Sequence, residues 1–168
     1  MTDRQEQFLA DMQQHRKIIF KVCNAYCRNG EDRKDLEQEI VLQVWRSYER
    51  FDGSCRFSTW LYRVALNVAI SFYRKERTRV TRQVPMGEDT DYPAPSSDPF
   101  TDTETRVANL HRFIHGLDNL NRALMLLYLD DMTHREIAET LGITETNVAT
   151  RIHRIKQKLK SQFSQHME

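Results

Sequence analysis

The chain has 168 residues, 25 Lys plus Arg against 24 Asp plus Glu, a formal net charge of +1 and 39% hydrophobic residues. The apolar content excludes a wholly disordered chain, and no apolar run approaches the roughly 20 residues that a membrane-spanning helix needs. A total so close to neutral argues against a polyanion partner only if the charge is spread evenly along the chain, and it is not.

The polar start, Met1 to Arg16, lacks the apolar core of a signal peptide, so a cytoplasmic protein without direct membrane insertion is expected. Apolar spacing is helical from there on. Phe8, Met12, Ile19, Val22 and Tyr26 fall on one face; Leu36, Ile40, Val44 and Tyr48 on a second, widened by Val41 and Trp45; Phe57, Leu61, Val64, Val68 and Phe72 on a third. Asn29-Gly30 separates the first two helices and Asp52-Gly53-Ser54 the last two, with Asp32 as the expected cap of the second. A three-helix bundle is the expected N-terminal unit. Its cysteines, Cys23 and Cys27, read as buried, inert thiols; with Cys55 they make an odd number and no disulfide framework.

All four prolines lie between positions 85 and 99, which marks a linker. Asp98-Pro99 reads as a helix start, with helices at about 99–115 and 117–130. Thr133-His134-Arg135-Glu136 is a capping box, whose helix carries Ile137, Ala138 and Leu141 and stops at Gly142. Thr144 caps the next helix, with Val148, Ile152, Ile155 and Leu159 on its apolar face. Helix, short glycine turn and helix make a helix-turn-helix pattern. The whole reads as all-α: two small helical domains, an N-terminal bundle and a C-terminal four-helix domain with the helix-turn-helix, joined by a flexible acidic linker. The expected boundaries are 1–82, 83–103 and 104–168.

Split at the linker, the charge is +5 over residues 1–82, −6 over 83–104 and +2 over 105–168. Within the basic parts it is clustered. Arg63, Arg74, Lys75, Arg77, Arg79 and Arg82 face one acid, Glu76, and Arg151, Arg154, Lys156, Lys158 and Lys160 face none. Two cationic patches flanking an acidic connector point to polyanion binding rather than to ordinary solvated helix faces. The stretch Arg50 to Arg63 mixes cations with Phe51, Phe57, Trp60 and Tyr62, the mixture that holds unpaired bases by stacking at about 1–3 kcal/mol each. At helical spacing several of these aromatics are expected in the core.

Asp35-Leu36-Glu37-Gln38-Glu39, Trp45, Arg50-Phe51-Asp52-Gly53, Phe57 to Asn67 and Arg74-Lys75 resemble the second conserved region of bacterial sigma factors. Leu117 to Arg122, Thr133 to Glu139, Leu141-Gly142-Ile143 and Val148 to Arg154 resemble the fourth. The chain is thus similar to sigma-70 family RNA polymerase sigma factors of the extracytoplasmic-function group. The resemblance implies a factor that binds core RNA polymerase, directs it to −10 and −35 promoter elements and promotes DNA opening in transcription initiation. Its partners would be the polymerase β′ clamp region and β flap, promoter DNA, and an anti-sigma factor as a candidate inhibitor. By position, Asp35, Gln38, Glu39 and Trp45 would meet the polymerase. Phe51, Asp52, Gly53, Ser54, Arg56, Arg63, Asn67, Arg74, Lys75 and Arg77 would meet the −10 DNA. Asn147, Thr150, Arg151, His153, Arg154 and Lys158 would meet the −35 duplex. The acidic linker would thread a positively charged channel near the RNA exit path. Ser71 stands where the family usually has Asp, Asn119 where Pro is frequent, and Ala149 where Lys or Arg is common.

No Walker loop, dinucleotide fingerprint or Gly-x-Ser-x-Gly elbow occurs, so no catalytic activity, small-molecule substrate or cofactor is expected. His111 and His115 lack the Glu of a zinc helix and read as helix surface, with no metal expected. The alternative to a sigma factor is a self-sufficient helix-turn-helix regulator. It would act as a dimer, and nothing past Leu159 offers a dimerisation helix. An adaptor that binds only protein would leave both basic patches unused.

Overall fold

A computed structural model describes residues 3–83 and 102–165. Eight α-helices follow in chain order: α1 (Asp3–Gln14), α2 (Arg16–Tyr26), α3 (Gly30–Ser47), α4 (Phe57–Gln83), α5 (Asp102–His115), α6 (Asn119–Leu129), α7 (His134–Leu141) and α8 (Glu145–Gln165). A single 3-10 turn, Tyr48–Arg50, leads out of α3, and no strand occurs among the described residues. The expected cap Asp98 and most of the acidic linker lie outside them.

Two local expectations are corrected. The first apolar stripe is carried by two helices, α1 and α2, broken at His15, whose backbone sits at φ −108° and ψ 13°. There the Ile18 amide reaches the His15 carbonyl at 3.0 Å, a tighter turn than the helices on either side. The cap of α3 is Asn29, not Asp32. Asn29 is extended and its side-chain oxygen accepts from the Asp32 amide at 2.8 Å. The helix starts at Gly30, earlier than the apolar stripe alone suggests, so Asp32 lies in the first turn, where its charge suits the positive end of the helix dipole.

The capping signals read around the helix-turn-helix are realised. Thr133 and Glu136 form a reciprocal capping box on α7, and Gly142 ends that helix in the left-handed region at φ 69°. Thr144 accepts from the Asn147 amide at 3.1 Å to start α8. Asp118, not singled out from the sequence, caps α6 by accepting from the Asn121 amide at 3.0 Å.

In the first half, Val22 of α2, Leu36, Ile40 and Val44 of α3, and Leu61, Ala65 and Ala69 of α4 are fully buried. In the second, Ala123, Leu124 and Leu127 of α6 pack with Ile137 of α7 and Val148 of α8. Each large aliphatic contributes about 1.5–3 kcal/mol by leaving water. The buried residues of the two halves form one contiguous apolar cluster. Cys23 and Cys27 sit inside it, and burial pushes their thiols up to about 12 and about 11, so both stay protonated and inert.

The halves meet along a polar seam. The Tyr26 hydroxyl donates to the Asn119 carbonyl at 2.9 Å, and the Tyr62 hydroxyl donates to Asp130 at 2.7 Å. The Lys21 ammonium also donates to Asp130. Burial alone would raise the Asp130 carboxyl, but these two donors outweigh it and hold it below its ordinary value. Arg122, only 3% exposed, donates to the carbonyls of Ile114, His115 and Leu117 at 3.3, 2.7 and 3.0 Å. Its guanidinium lies over the rings of Tyr26 and Tyr73, at 5.1 and 5.2 Å.

His115, read from sequence as helix surface, is half-buried at this seam, while His111 is exposed. Desolvation, then the charges of Arg122, Arg28 and His111, push the His115 imidazole down from 6.5 to about 4. The unfolded chain therefore takes up this proton first as pH falls. The contribution of His115 to stability is complete above about 6.5 and is lost progressively toward 4. Denaturant unfolding at pH 7 and at pH 4.5 should give a lower midpoint at the acid pH, and His115→Gln should shrink that drop.

Candidate nucleic-acid interface

On α4, Arg56, Arg63, Asn67 and Arg74 recur at intervals of seven, four and seven residues, which puts them along one side of a helix and its immediate approach. All four are exposed, as are Lys75 and Arg77. Just before α4, the Asp52 side chain accepts from the Ser54 amide at 2.9 Å, and Gly53 adopts φ +75°, a conformation that penalises any side chain. The hydrogen bonds from Ser54 hold the Asp52 carboxyl below its ordinary range. The loop thereby presents Asp52, Gly53 and Ser54 to solvent beside Phe51.

Phe51 is half-buried, with ring centres 5.1 Å from Trp60 and 5.6 Å from Phe57. Phe57 and Trp60 are half-buried as well, whereas Tyr48 beneath them is buried. The wall is therefore both core and surface: its inner edge packs on Tyr48 and its outer edge is open to a stacking partner. His15, at the α1–α2 break, adds a ring 5.1 Å from Phe57.

On α3, Asp35 and Gln38 are exposed and Trp45 is 42% exposed. Trp45 packs edge-on against Phe8 at 4.8 Å. Gln38 and Trp45 line a shallow groove of about 590 Å³ with Phe8, Val41 and Leu42. Glu39, read with them from sequence, lines a separate groove with Gln43, Asn67, Ser71 and Lys75, between α3 and α4. It therefore sits closer to the basic face than to the apolar one.

On α8, Asn147, Thr150, Arg151, Arg154 and Lys158 follow helical spacing along one face, with His153 at its edge. Thr150, His153, Arg154 and Lys158 are exposed. Arg151 is held in place: it donates to Asn147 at 2.9 Å and to Asn121 of α6 at 3.1 Å. The cationic cluster also divides. Lys156 lies over the Tyr128 ring at 4.5 Å and so helps fasten α8 to α6. Ala149 is exposed, leaving a small uncharged spot on the helix.

The structure also ties two of the predicted site residues to the second half. Arg56 pairs with Glu136 at 3.6 Å, and Arg63 donates to the Glu139 carbonyl at 3.1 Å. Sequence reasoning gave Lys21 and Asp130 no role, named Arg122 only within the region-4 resemblance and read Tyr62 with the base-stacking aromatics, whereas Tyr62 is buried at the seam. The available signal was Arg122 standing directly before the apolar run Ala123 to Leu129.

If exposed cations of α8 meet phosphates, binding of the chain to random duplex DNA should weaken linearly on a log–log salt plot. Lys158→Ala should then lower the slope by about 1, and Lys156→Ala should act through stability instead. Equal slopes for wild type and Lys158→Ala would remove Lys158 from the contact face.

The family pattern described as Sigma-70 region 2 matches residues 12–79, and that described as Sigma-70, region 4 matches residues 108–159. The chain is 28% identical over 160 residues to the ECF RNA polymerase sigma factor SigE of Mycolicibacterium smegmatis, covering 92% of this chain but only 61% of that protein's length. It is 27% identical over 157 residues to the ECF RNA polymerase sigma factor SigW of Bacillus subtilis, covering 86% of this chain and 82% of the relative. A solved structure with the same fold is the sigma factor RpoE in complex with the anti-sigma factor NepR from Bartonella quintana. The TM-score is 0.64 at 16% identity, over 98% of each chain.

Proposed function

The chain belongs to the sigma-70 family of RNA polymerase sigma factors, and we propose that it is an extracytoplasmic-function member that binds core polymerase, selects promoters through −10 and −35 elements and promotes their opening. One observation carries the reading: a single chain places an aromatic–cationic face on α4 ahead of a helix-turn-helix whose second helix exposes cations, in the order of regions 2 and 4. The proposed units are 1–82, the 83–103 linker and 104–168.

Gln38 and Trp45 line an apolar groove and Asp35 is exposed on the same helix, a composition suited to protein docking, and we assign all three to the polymerase clamp region. Glu39 lines the neighbouring groove between α3 and α4, and we assign it to the same partner from the adjoining side of the helix. Phe51, Asp52, Gly53 and Ser54 form the rim of an aromatic wall able to stack on a flipped base. Unstacking a base costs a few kcal/mol, comparable to the roughly 1–3 kcal/mol that aromatic stacking returns. Arg56, Arg63, Asn67, Arg74, Lys75 and Arg77 then follow the strand. In the second half, Asn147, Thr150, Arg151, His153, Arg154 and Lys158 face the −35 duplex. The hold of Asn121 and Asn147 on Arg151 pre-orients its guanidinium, which suits a bidentate contact to guanine. With Ala149 adding no charge, Arg154 carries a larger share of the reading. The region that meets the β flap belongs to the second half in this scheme. An anti-sigma factor enters as a further partner, by analogy with the NepR-bound relative. The factor has no catalysis of its own; the polymerase supplies the chemistry.

Purified core polymerase with and without the protein tests this over a broad promoter library. Promoter-specific transcripts should appear only with it, and their absence would refute the reading. Tight sequence-specific duplex binding by the free chain would instead favour a self-sufficient regulator. Phe51→Ala should leave duplex docking intact and reduce permanganate reactivity of the opened strand; normal melting would take Phe51 out of the pocket. Arg154→Ala should cost about 1–3 kcal/mol at one −35 position, seen as weakened footprints there.

A further inference from the structure

We infer that α7 is an internal competitor for the strand-contacting face of α4, latched there through Asp130, while α8 stays open in the same state. The inference rests on the function proposed above in taking α4 as the strand-contacting face.

Arg56 and Arg63 lie seven residues apart on the same side of the chain's basic stripe, and each is held by α7. The two bonds are of the kind a phosphate would make. The Glu136 carboxylate supplies a negative charge to Arg56. The Glu139 carbonyl belongs to the last turn of α7, where carbonyls lack a helical partner and the dipole is negative. A DNA strand that tracks α4 must displace both. All four residues of the stripe, Asn67 and Arg74 included, are exposed, but only Arg56 and Arg63 are bonded to α7 among the described contacts, so the competition is confined to the N-terminal part of α4.

Asp130 is the hub because its two oxygens take donors from two different elements of the first half. Lys21 of α2 reaches one and Tyr62 of α4 the other. Asp130 follows α6 directly and leads within four residues into α7. Holding it therefore positions the start of α7 against α4. None of Lys21, Tyr62 and Asp130 belongs to the proposed DNA or polymerase surfaces. The exposed side chains of α8, His153, Arg154 and Lys158, have no described contact with the first half. The latch is thus one-sided: it engages two cations of the −10 surface and leaves the −35 surface without a competitor from the first half.

The test uses the full chain as Tyr62→Phe, Lys21→Ala and the double variant, with thermal melting to establish that each folds. Solution X-ray scattering reports the particle size, and binding is read with a random single-stranded oligonucleotide and with random duplex DNA at one salt concentration. The double variant should expand and bind the single strand about tenfold tighter, with duplex binding within about twofold, a shift of about 1.4 kcal/mol in the closed–open equilibrium. Lys21→Ala is decisive for sign. Loss of a cation alone would weaken binding to any nucleic acid, so tighter single-strand binding can come only from unlatching. Expansion without tighter single-strand binding would show that α7 does not compete. Unchanged size and unchanged binding in the folded double variant would show that Asp130 is not the latch. Random single strands require no promoter, so these readouts are independent of the transcription assay. A chain that transcribes but shows no tightening loses the latch alone.

Discussion

A guanidinium taken out of water needs its charge offset and its donors paired, and Arg122 recruits much structure to that end even though its Nη1 is buried without a partner among the described residues. Three carbonyls around the α5–α6 turn take its protons, which fixes how α5 enters α6. Two tyrosine rings from the other half cover its faces, which fixes where that turn sits against α2 and α4. Removing either set would leave a buried charge poorly compensated, a situation that costs several kcal/mol. Arg122 therefore couples the shape of the α5–α6 turn to its contact with the first half, so that neither can change alone. Asp130, at the far end of α6, is the opposite charge at the other end of the same arrangement.

Much of the fold was legible because its signals are local. The capping box at Thr133, the stop at Gly142 and the cap at Thr144 each specify a helix end within four residues, and the structure has all three. The apolar stripes of α3 and α4 likewise announce Leu36, Ile40, Val44 and Leu61 as core. What failed was also local but ambiguous. Apolar spacing continues across His15 with little phase change, so the α1–α2 break left no mark in the pattern. Both Asn29 and Asp32 are good caps by type, and the choice between them depends on where the backbone turns helical. The candidate site was legible as a set of residue types on shared faces. Its partition was not: Glu39 stands apart from Gln38 and Trp45, and Lys156 apart from Lys158, because each depends on which neighbouring helix is opposite. The seam was invisible for a general reason. Contacts such as Tyr62 to Asp130, 68 residues apart, carry no periodicity in either segment.

The near-zero net charge acquires a structural sense in this arrangement. Residues 1–82 carry +5 and residues 105–168 carry +2, yet the second half turns acidic groups, Asp130 and Glu136, toward the first. A chain whose basic surfaces merely repelled one another would stay apart at low salt. Here the sorting of charge by face, rather than by domain, lets two cationic units pack together while each keeps a cationic surface facing outward.

Glu136 has two duties that draw on different oxygens. One closes the capping box with the Thr133 amide at 2.8 Å, and the other meets Arg56. The residue that starts the helix-turn-helix is thus also a contact across the seam. Drift at this position is doubly constrained. Gln would keep the box and lose the charge, Asp would keep the charge on a stem one methylene shorter, and most other residues would forfeit both. Lineages that retune how readily the halves part would have to do so elsewhere, at Arg56 or around Asp130, leaving position 136 among the slowest-changing sites of an otherwise exposed helix face.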